Sequence, residues 1–217
     1  MQIVEGCKIN WANNRCPYQI KCPKEIVFSE NEKLFIDTEI ERLLKLKVIA
    51  QSTNESGEFI STIFVRPKQD GSFRLILNLK ILNNYIEYHH FKMETLQSAI
   101  NMMTEGCYMA CIDLKDAYYS VPIHNDFQKY LKFLWRNTLY KFTCLPNGLA
   151  CAPRLFTKLM KPVFSTLRLS GLLSVAYIDD IYLQGDTLEN CKTNVITTVE
   201  MLRKLGLVFC PPNKVSI

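Results

Sequence analysis

Between Asp126 and Asp179 the chain contains no acidic residue. The same interval carries Lys129, Lys132, Arg136, Lys141, Arg154, Lys158, Lys161 and Arg168, eight of the 26 basic residues. The other 18 basic residues face all 21 acidic ones, so the excess behind the net charge of +5 arises in one central segment. Such an asymmetry suits a groove that binds a polyanion, and a solvated basic face is the plainer alternative.

Long apolar runs are missing as well. No stretch approaches the roughly 18 consecutive apolar residues of a membrane span, and no signal-peptide pattern opens the chain. These absences predict an intracellular protein, cytoplasmic or nuclear, with no membrane attachment. The 9 cysteines are odd in number, and Cys7, Cys16 and Cys22 lack zinc-site spacing. Reduced, mostly structural thiols are expected. With 48% hydrophobic residues over 217 positions, the chain can bury a core in one or two domains. No internal repeat or low-complexity linker interrupts it.

Residues 1–28, with Pro17 and Pro23, read as irregular. Ser29-Glu30-Asn31-Glu32 is a capping box that opens a helix to about Val48. Phe59 to Pro67 and Phe73 to Leu79 read as strands joined by a polar turn containing Asp70-Gly71. A helix is expected over Met93 to Met103, then a strand over Met109 to Ile112 with Asp113 directly after it. Tyr130 to Trp135 and Leu139 to Cys144 are strand-like. A helix runs from Pro153 towards Leu167, with Pro162 expected to bend it. Helix follows again from about Leu188 to Leu205, then a strand near Leu207 to Cys210. Strands of this kind with helices interspersed predict an α+β fold.

The most informative residues are Tyr177-Ile178-Asp179-Asp180. Two short apolar β-type segments flank the acids, which reads as a hairpin with the carboxylates at its tip. Adjacent acids on a turn are ordinary solvated residues unless a third joins them, and Asp113 is the candidate. Three carboxylates would supply the hard oxygen ligands that Mg²⁺ takes, and paired ions suit phosphoryl transfer.

In this order the motifs resemble the fingers and palm of a reverse transcriptase. The likeness runs from about Ser29 to Lys214. It is carried by Ile112-Asp113-Leu114-Lys115-Asp116-Ala117-Tyr118-Tyr119, Cys144-Leu145-Pro146-Asn147-Gly148-Leu149 and Ala152-Pro153-Arg154-Leu155-Phe156-Thr157-Lys158. The pattern is most similar to DIRS-type retrotransposon polymerases, with Ty3-like and retroviral enzymes more distant. The resemblance implies a right-hand polymerase: an antiparallel palm sheet backed by helices at about 106–217, and fingers at about 29–105 with strands near 127–145. It implies an RNA-directed DNA polymerase that adds dNTPs to a primer on an RNA or DNA template.

By the same resemblance, Asp113 and Asp179 bind two Mg²⁺ (or Mn²⁺) ions, Asp180 assists, and Leu114 adds a backbone carbonyl. Asp116 is a turn or capping residue. Tyr118 closes the pocket below the deoxyribose, while Tyr119 packs in the core. Lys68 and Arg74 grip the triphosphate, Asn147 and Gly148 pack against nucleotide and template, and Lys214 is a general acid for pyrophosphate. Arg154, Lys158, Lys161 and Tyr177 would face nucleic acid. The family usually has Gln or Phe at Asn147, and many Ty3-like relatives have Asp at Asn78. Where a thumb should begin the chain stops, and no protease, RNase H or recombinase region is visible. A fragment of a longer polyprotein or a decayed copy is therefore expected. The alternative function is a catalytically silent, nucleic-acid-binding remnant or domesticated protein.

Overall fold

The structure, a computed structural model, describes residues 5–24, 26–68 and 71–210. Residues 5–24 and 26–28 form no regular element apart from a short 3₁₀ turn at Ala12–Asn14. Helix α1 (Glu30–Lys45) starts at the expected capping box. The Ser29 hydroxyl accepts from the Glu32 N–H at 3.4 Å, and the Glu32 carboxylate accepts from the Ser29 N–H at 2.8 Å. The helix ends short of Val48. Lys47 takes a left-handed φ of 56°, and the Val48 N–H bonds back to the Leu43 carbonyl at 2.9 Å, a Schellman closure. That turn releases the chain into β1 (Ile49–Ser52), a strand the sequence does not announce.

The single strand expected over Phe59 to Pro67 is two. β2 (Ile60–Ser61) and β3 (Ile63–Pro67) part at Thr62, whose carbonyl accepts from the Asn78 N–H at 2.8 Å. β4 (Phe73–Leu77) and the short helix α2 (Lys80–Asn83) follow. α3 (Leu96–Met102) begins at Thr95, which forms a reciprocal capping box with Ser98. Next come β5 (Tyr108–Lys115), a 3₁₀ turn at Ala117–Ser120, α4 (Asn125–Gln128), β6 (Lys132–Trp135) and β7 (Thr138–Phe142). α5 (Ala152–Leu169) continues through Pro162. β8 (Ser174–Tyr177), β9 (Asp180–Gly185), α6 (Leu188–Lys204) and β10 (Val208–Phe209) complete the described chain.

Two compact units result, Met1–His89 with Val121–Ala152, and His90–Ser120 with Pro153–Ile217. In the first, the sheet order is β1-β7-β6-β2, with β3-β4 as a separate hairpin. α1 packs on β1 and β4 through Ile36, Ile40 and Leu43, all buried, and Phe35 meets Phe73 at 5.5 Å. In the second, the order is β10-β5-β9-β8, with α6 against β5 and β9 and α3 against β8. The result is α+β, as expected. Among the described residues no helix is long and apolar enough to cross a membrane.

One buried charge organises the first unit. Lys132 on β6 is 0% exposed, and its ammonium donates to Glu58 at 2.7 Å and to the Thr53 carbonyl at 2.8 Å, with Glu55 at 2.7 Å. Desolvation alone would raise the pKa of Glu58. Hydrogen bonds from Lys132, Asn54 and the Glu55 N–H, with the ammonium's charge, outweigh it and hold the carboxyl below its ordinary value of 4.5. Lys132→Ala should therefore destabilise the fold by about 3 kcal/mol at pH 7, the low end for a broken buried pair because Glu55 is partly solvated. A group with a lowered folded pKa gives stability above its unfolded value, and that stability is lost as pH falls through the folded value. Urea denaturation should show the deficit of the variant shrinking below about pH 4.

Candidate active site

Antiparallel pairing of β5 with β9 runs from Tyr108 opposite Gly185 to Asp113 opposite Asp180. Directly opposed residues have Cβ atoms about 4.5–5.5 Å apart, so the two carboxylates are neighbours. Two placements differ from expectation. Asp113 lies inside β5, which runs on to Lys115, and Asp180 is the first residue of β9 rather than part of the tip. The tip is Ile178-Asp179, closed by Tyr177 opposite Asp180. Ile178 has φ 56°, a left-handed conformation that a β-branched residue rarely adopts. Surrounding bonds must hold it there. One is direct: the Leu114 N–H donates to the Asp179 carbonyl at 2.9 Å. Behind it, the Asp113 carbonyl accepts from the Cys210 N–H at 3.0 Å.

Asp113 is half-buried, while Asp179 and Asp180 are exposed. Among the described residues no three His, Cys, Asp or Glu side chains converge closely enough to hold a metal ion by themselves. The expected three-carboxylate cluster is thus present as an opposed pair with the third acid on the adjoining turn. Mg²⁺ is usually held by one or two carboxylates, keeping waters and substrate phosphates as its other ligands. The donor set suits that mode.

After β5 the chain turns sharply at Asp116, with φ 53°, and the Asp116 carbonyl accepts from the Tyr119 N–H at 2.8 Å. This turn sets Tyr118 edge-on to Phe156 of α5, with ring centroids 5.6 Å apart. Burial, then the nearby charges of Asp179 and Tyr177, push the Tyr118 hydroxyl up to about 12. It stays protonated at any working pH, beside the tip acid. Tyr119 is half-buried rather than fully in the core.

The residues predicted to contact the nucleotide from the hairpin and the loop before α5 lie in the first unit. Lys68 directly follows β3 at the turn and Arg74 lies on β4, and both are exposed. The Lys68 N–H donates to the Ser72 carbonyl at 2.7 Å, which closes the turn. The register also opposes Arg66 to Arg74, a cation not singled out from the sequence. Counting back from the turn would have found it. Asn147-Gly148 lies in the loop before α5, where Gly148 has φ 90°. Asn83 braces that loop, donating to the Gly148 carbonyl and accepting from the Ala150 N–H, each at 2.9 Å. Lys214 falls outside the described residues.

On α5, Arg154, Lys158 and Lys161 follow helical spacing and leave Phe156, Met160 and Phe164 buried. Arg168 departs from this stripe. It pairs with Glu94 at 2.5 Å and donates to the Ser174 carbonyl at 2.9 Å.

Residues 66–217, more than half of the chain, match the reverse transcriptase (RNA-dependent DNA polymerase) family. The chain belongs to that family. It is 26% identical over 214 residues to Polyprotein P3 of Commelina yellow mottle virus, covering 94% of this chain and 11% of that polyprotein. Identity is 22% over 182 residues to the retrovirus-related Pol polyprotein from transposon 412 of Drosophila melanogaster, covering 81% of this chain and 14% of the relative. Among solved structures, the prototype foamy virus protease-reverse transcriptase superposes with a TM-score of 0.77 at 23% identity, covering 93% of this chain and 26% of that one. A foamy viral protease-reverse transcriptase in complex with RNA/DNA hybrid gives 0.76 at 23%, covering 90% and 25%. The chain thus spans a small part of each, and these likenesses carry the fold. They do not separate a DIRS-type affiliation from viral and other transposon relatives.

Opposed like charges on a strand pair repel, so Arg66 and Arg74 cost the hairpin about 0.2–1 kcal/mol. Arg66→Thr should raise the melting temperature slightly in plain buffer. It should also weaken binding of inorganic triphosphate by about three- to tenfold, on the order of 1 kcal/mol. Calorimetry in both conditions checks the pair of effects.

Proposed function

We propose that this chain is the fingers and palm of a retrotransposon RNA-directed DNA polymerase, adding dNTPs to a primer 3′-hydroxyl on an RNA or DNA template by a two-metal mechanism. The observation that carries the reading is the register opposing Asp113 to Asp180, with Asp179 on the joining turn, in a chain of this family. Fingers correspond to about 29–105 with strands near 127–145, and palm to about 106–217.

In this reading Asp113 and Asp179 hold two Mg²⁺ ions, or Mn²⁺ in their place, with Asp180 assisting and the Leu114 carbonyl available as a further oxygen. When bound, such ions offset charge at the phosphorus and lower the pKa of the attacking hydroxyl. The chain's own residues do the rest. Tyr118, fixed edge-on to Phe156, excludes a 2′-hydroxyl by shape. Lys68 and Arg74 grip the triphosphate, Arg74 as a planar fork and Lys68 as a mobile charge. Asn147 and Gly148 pack against the nucleotide, and Lys214 donates a proton to pyrophosphate. Arg154, Lys158, Lys161 and Tyr177 contact the template-primer. The foamy viral relatives have been solved with dsDNA and with RNA/DNA hybrid, which supports that partner class.

Primer extension on homopolymer RNA with Mg²⁺ tests the assignment. Asp113→Asn and Asp179→Asn should lower extension by at least about a thousandfold, roughly 4 kcal/mol of transition-state stabilisation. The fold should survive, because losing a charge from a group of neighbouring carboxylates relieves repulsion. Asp116→Asn should keep a substantial fraction of activity, since its main chain makes the turn. An Asp116→Asn enzyme as inactive as Asp179→Asn would sink the ligand assignment.

Sugar selection gives a separate check. Tyr118→Ala should cut discrimination between dNTP and rNTP by at least about tenfold, 1.4 kcal/mol, mainly through faster ribonucleotide incorporation. Tyr119→Ala should lower both rates together. Relaxed selection in Tyr119→Ala alone would move the gate to the neighbouring ring.

A further inference from the structure

β8 is an edge strand, last in the order β10-β5-β9-β8, so its outward backbone groups have no strand partner. Two of those groups are nevertheless satisfied by side chains. The Arg168 Nε–H donates to the Ser174 carbonyl at 2.9 Å, and the Glu94 Oε2 accepts from the Ala176 N–H at 2.7 Å. Glu94 and Arg168 are joined to each other at 2.5 Å through Oε1 and Nη2. A carbonyl and the N–H two residues later are the groups that one residue of a parallel neighbouring strand would bond. The carboxylate–guanidinium fork takes the place of that residue. Each member spends one face on its partner and the other on the strand.

The position gives the fork its consequence. Ala176 is two residues before Ile178, whose left-handed φ of 56° needs external support, and three before Asp179. A cavity of about 280 Å³ lies against the same edge, lined by Glu94, Arg168, Ala176 and Ile178 among others. β8 is therefore fixed on its inner side by β9 and on its outer side by two charged side chains. Glu94 comes from the segment before α3, and Arg168 from the last turn of α5.

We propose that Glu94 and Arg168 are positioning residues that hold the β8 edge, and through it the Tyr177–Asp180 turn, in the geometry used for nucleotide transfer. This rests on the polymerase reading above. The fork acts by hydrogen bonding to the backbone, so charge alone does not replace it. Glu94→Gln keeps an acceptor for the Ala176 N–H, whereas Glu94→Ala removes it. Exchanging the two residues (Glu94→Arg with Arg168→Glu) restores opposite charges but sets donor against donor at Ala176 and acceptor against acceptor at Ser174.

Two measurements on the full chain test this. In primer extension, Glu94→Ala should lower kcat at least tenfold with KM for dNTP changed less than threefold, because the turn shifts while the triphosphate grip does not. Glu94→Gln should stay within threefold of wild type, and the exchanged double variant should be as slow as Glu94→Ala. In hydrogen exchange by NMR, the Ala176 amide should exchange at least tenfold faster in Glu94→Ala, while the Ile181 amide on β9 should not. Recovery of kcat by the exchanged variant would reduce the pair to a simple ion pair and overturn the proposal. So would an unchanged Ala176 exchange rate. If the wild-type chain extends no primer, the polymerase reading fails, and the exchange rates alone decide whether the fork holds the strand.

Discussion

The arrangement of the second unit depends on the register between β5 and β9. Side chains alternate along a strand, so a slip of one residue would move every group to the opposite face. Ala110, Ile112 and Leu114 on β5 are buried, as are Ile181 and Leu183 on β9. Burying a large aliphatic side chain is worth about 1.5–3 kcal/mol, so four such residues oppose a slip by several kcal/mol. The repulsion between Asp113 and Asp180, half-buried and exposed, is about 1 kcal/mol or less. The core wins by a wide margin. Hydrophobic burial holds two acids opposite each other that, by themselves, would avoid it.

The same logic holds on the β3–β4 hairpin, where the register opposes Arg66 to Arg74. Lys132 and Lys141 are likewise opposed across β6 and β7, so the first unit carries two such pairs and the second unit one. Opposed like charges cost a strand pair free energy unless a charge of opposite sign lies beside them, as Glu55 and Glu58 do for Lys132. The β-branched Ile178 in a left-handed turn is a further local departure, as are the left-handed Lys47 and Arg136 away from the candidate site.

What could be read from the sequence divides by range. The capping box at Ser29, the long helices and the Tyr177 hairpin are set by residues within a few positions of each other, and they formed where expected. The end of α1 was missed because a Lys in a left-handed conformation closes it, with no Gly to mark the stop. The break at Thr62 was missed because it depends on two partners far along the chain, β6 for Ile60 and Asn78 for Thr62 itself. Residues named for chemistry stand in short motifs, which is why the sequence could single them out. Those that hold them, Asn83 under the Gly148 loop and Glu94 beside β8, work over separations of 65 and 82 positions, where no pattern points from one to the other.

Charge illustrates the limit most clearly. Eight cations without an acid in their segment suggested one polyanion-binding surface. Three of them find carboxylates elsewhere in the chain: Lys132 with Glu55 and Glu58, Arg136 with Asp37, and Arg168 with Glu94. The acids missing locally are supplied by distant segments, and the ion pairs tie those segments together. Segregated charge in a sequence can thus be a folding device as readily as a binding surface. Arg154, Lys158 and Lys161 differ from these three: among the described residues they have no carboxylate partner, and they share one side of α5. Lys129 and Lys141 also lack a carboxylate partner among the described residues, so five of the eight cations keep an unoffset charge, the kind of excess that favours a polyanion.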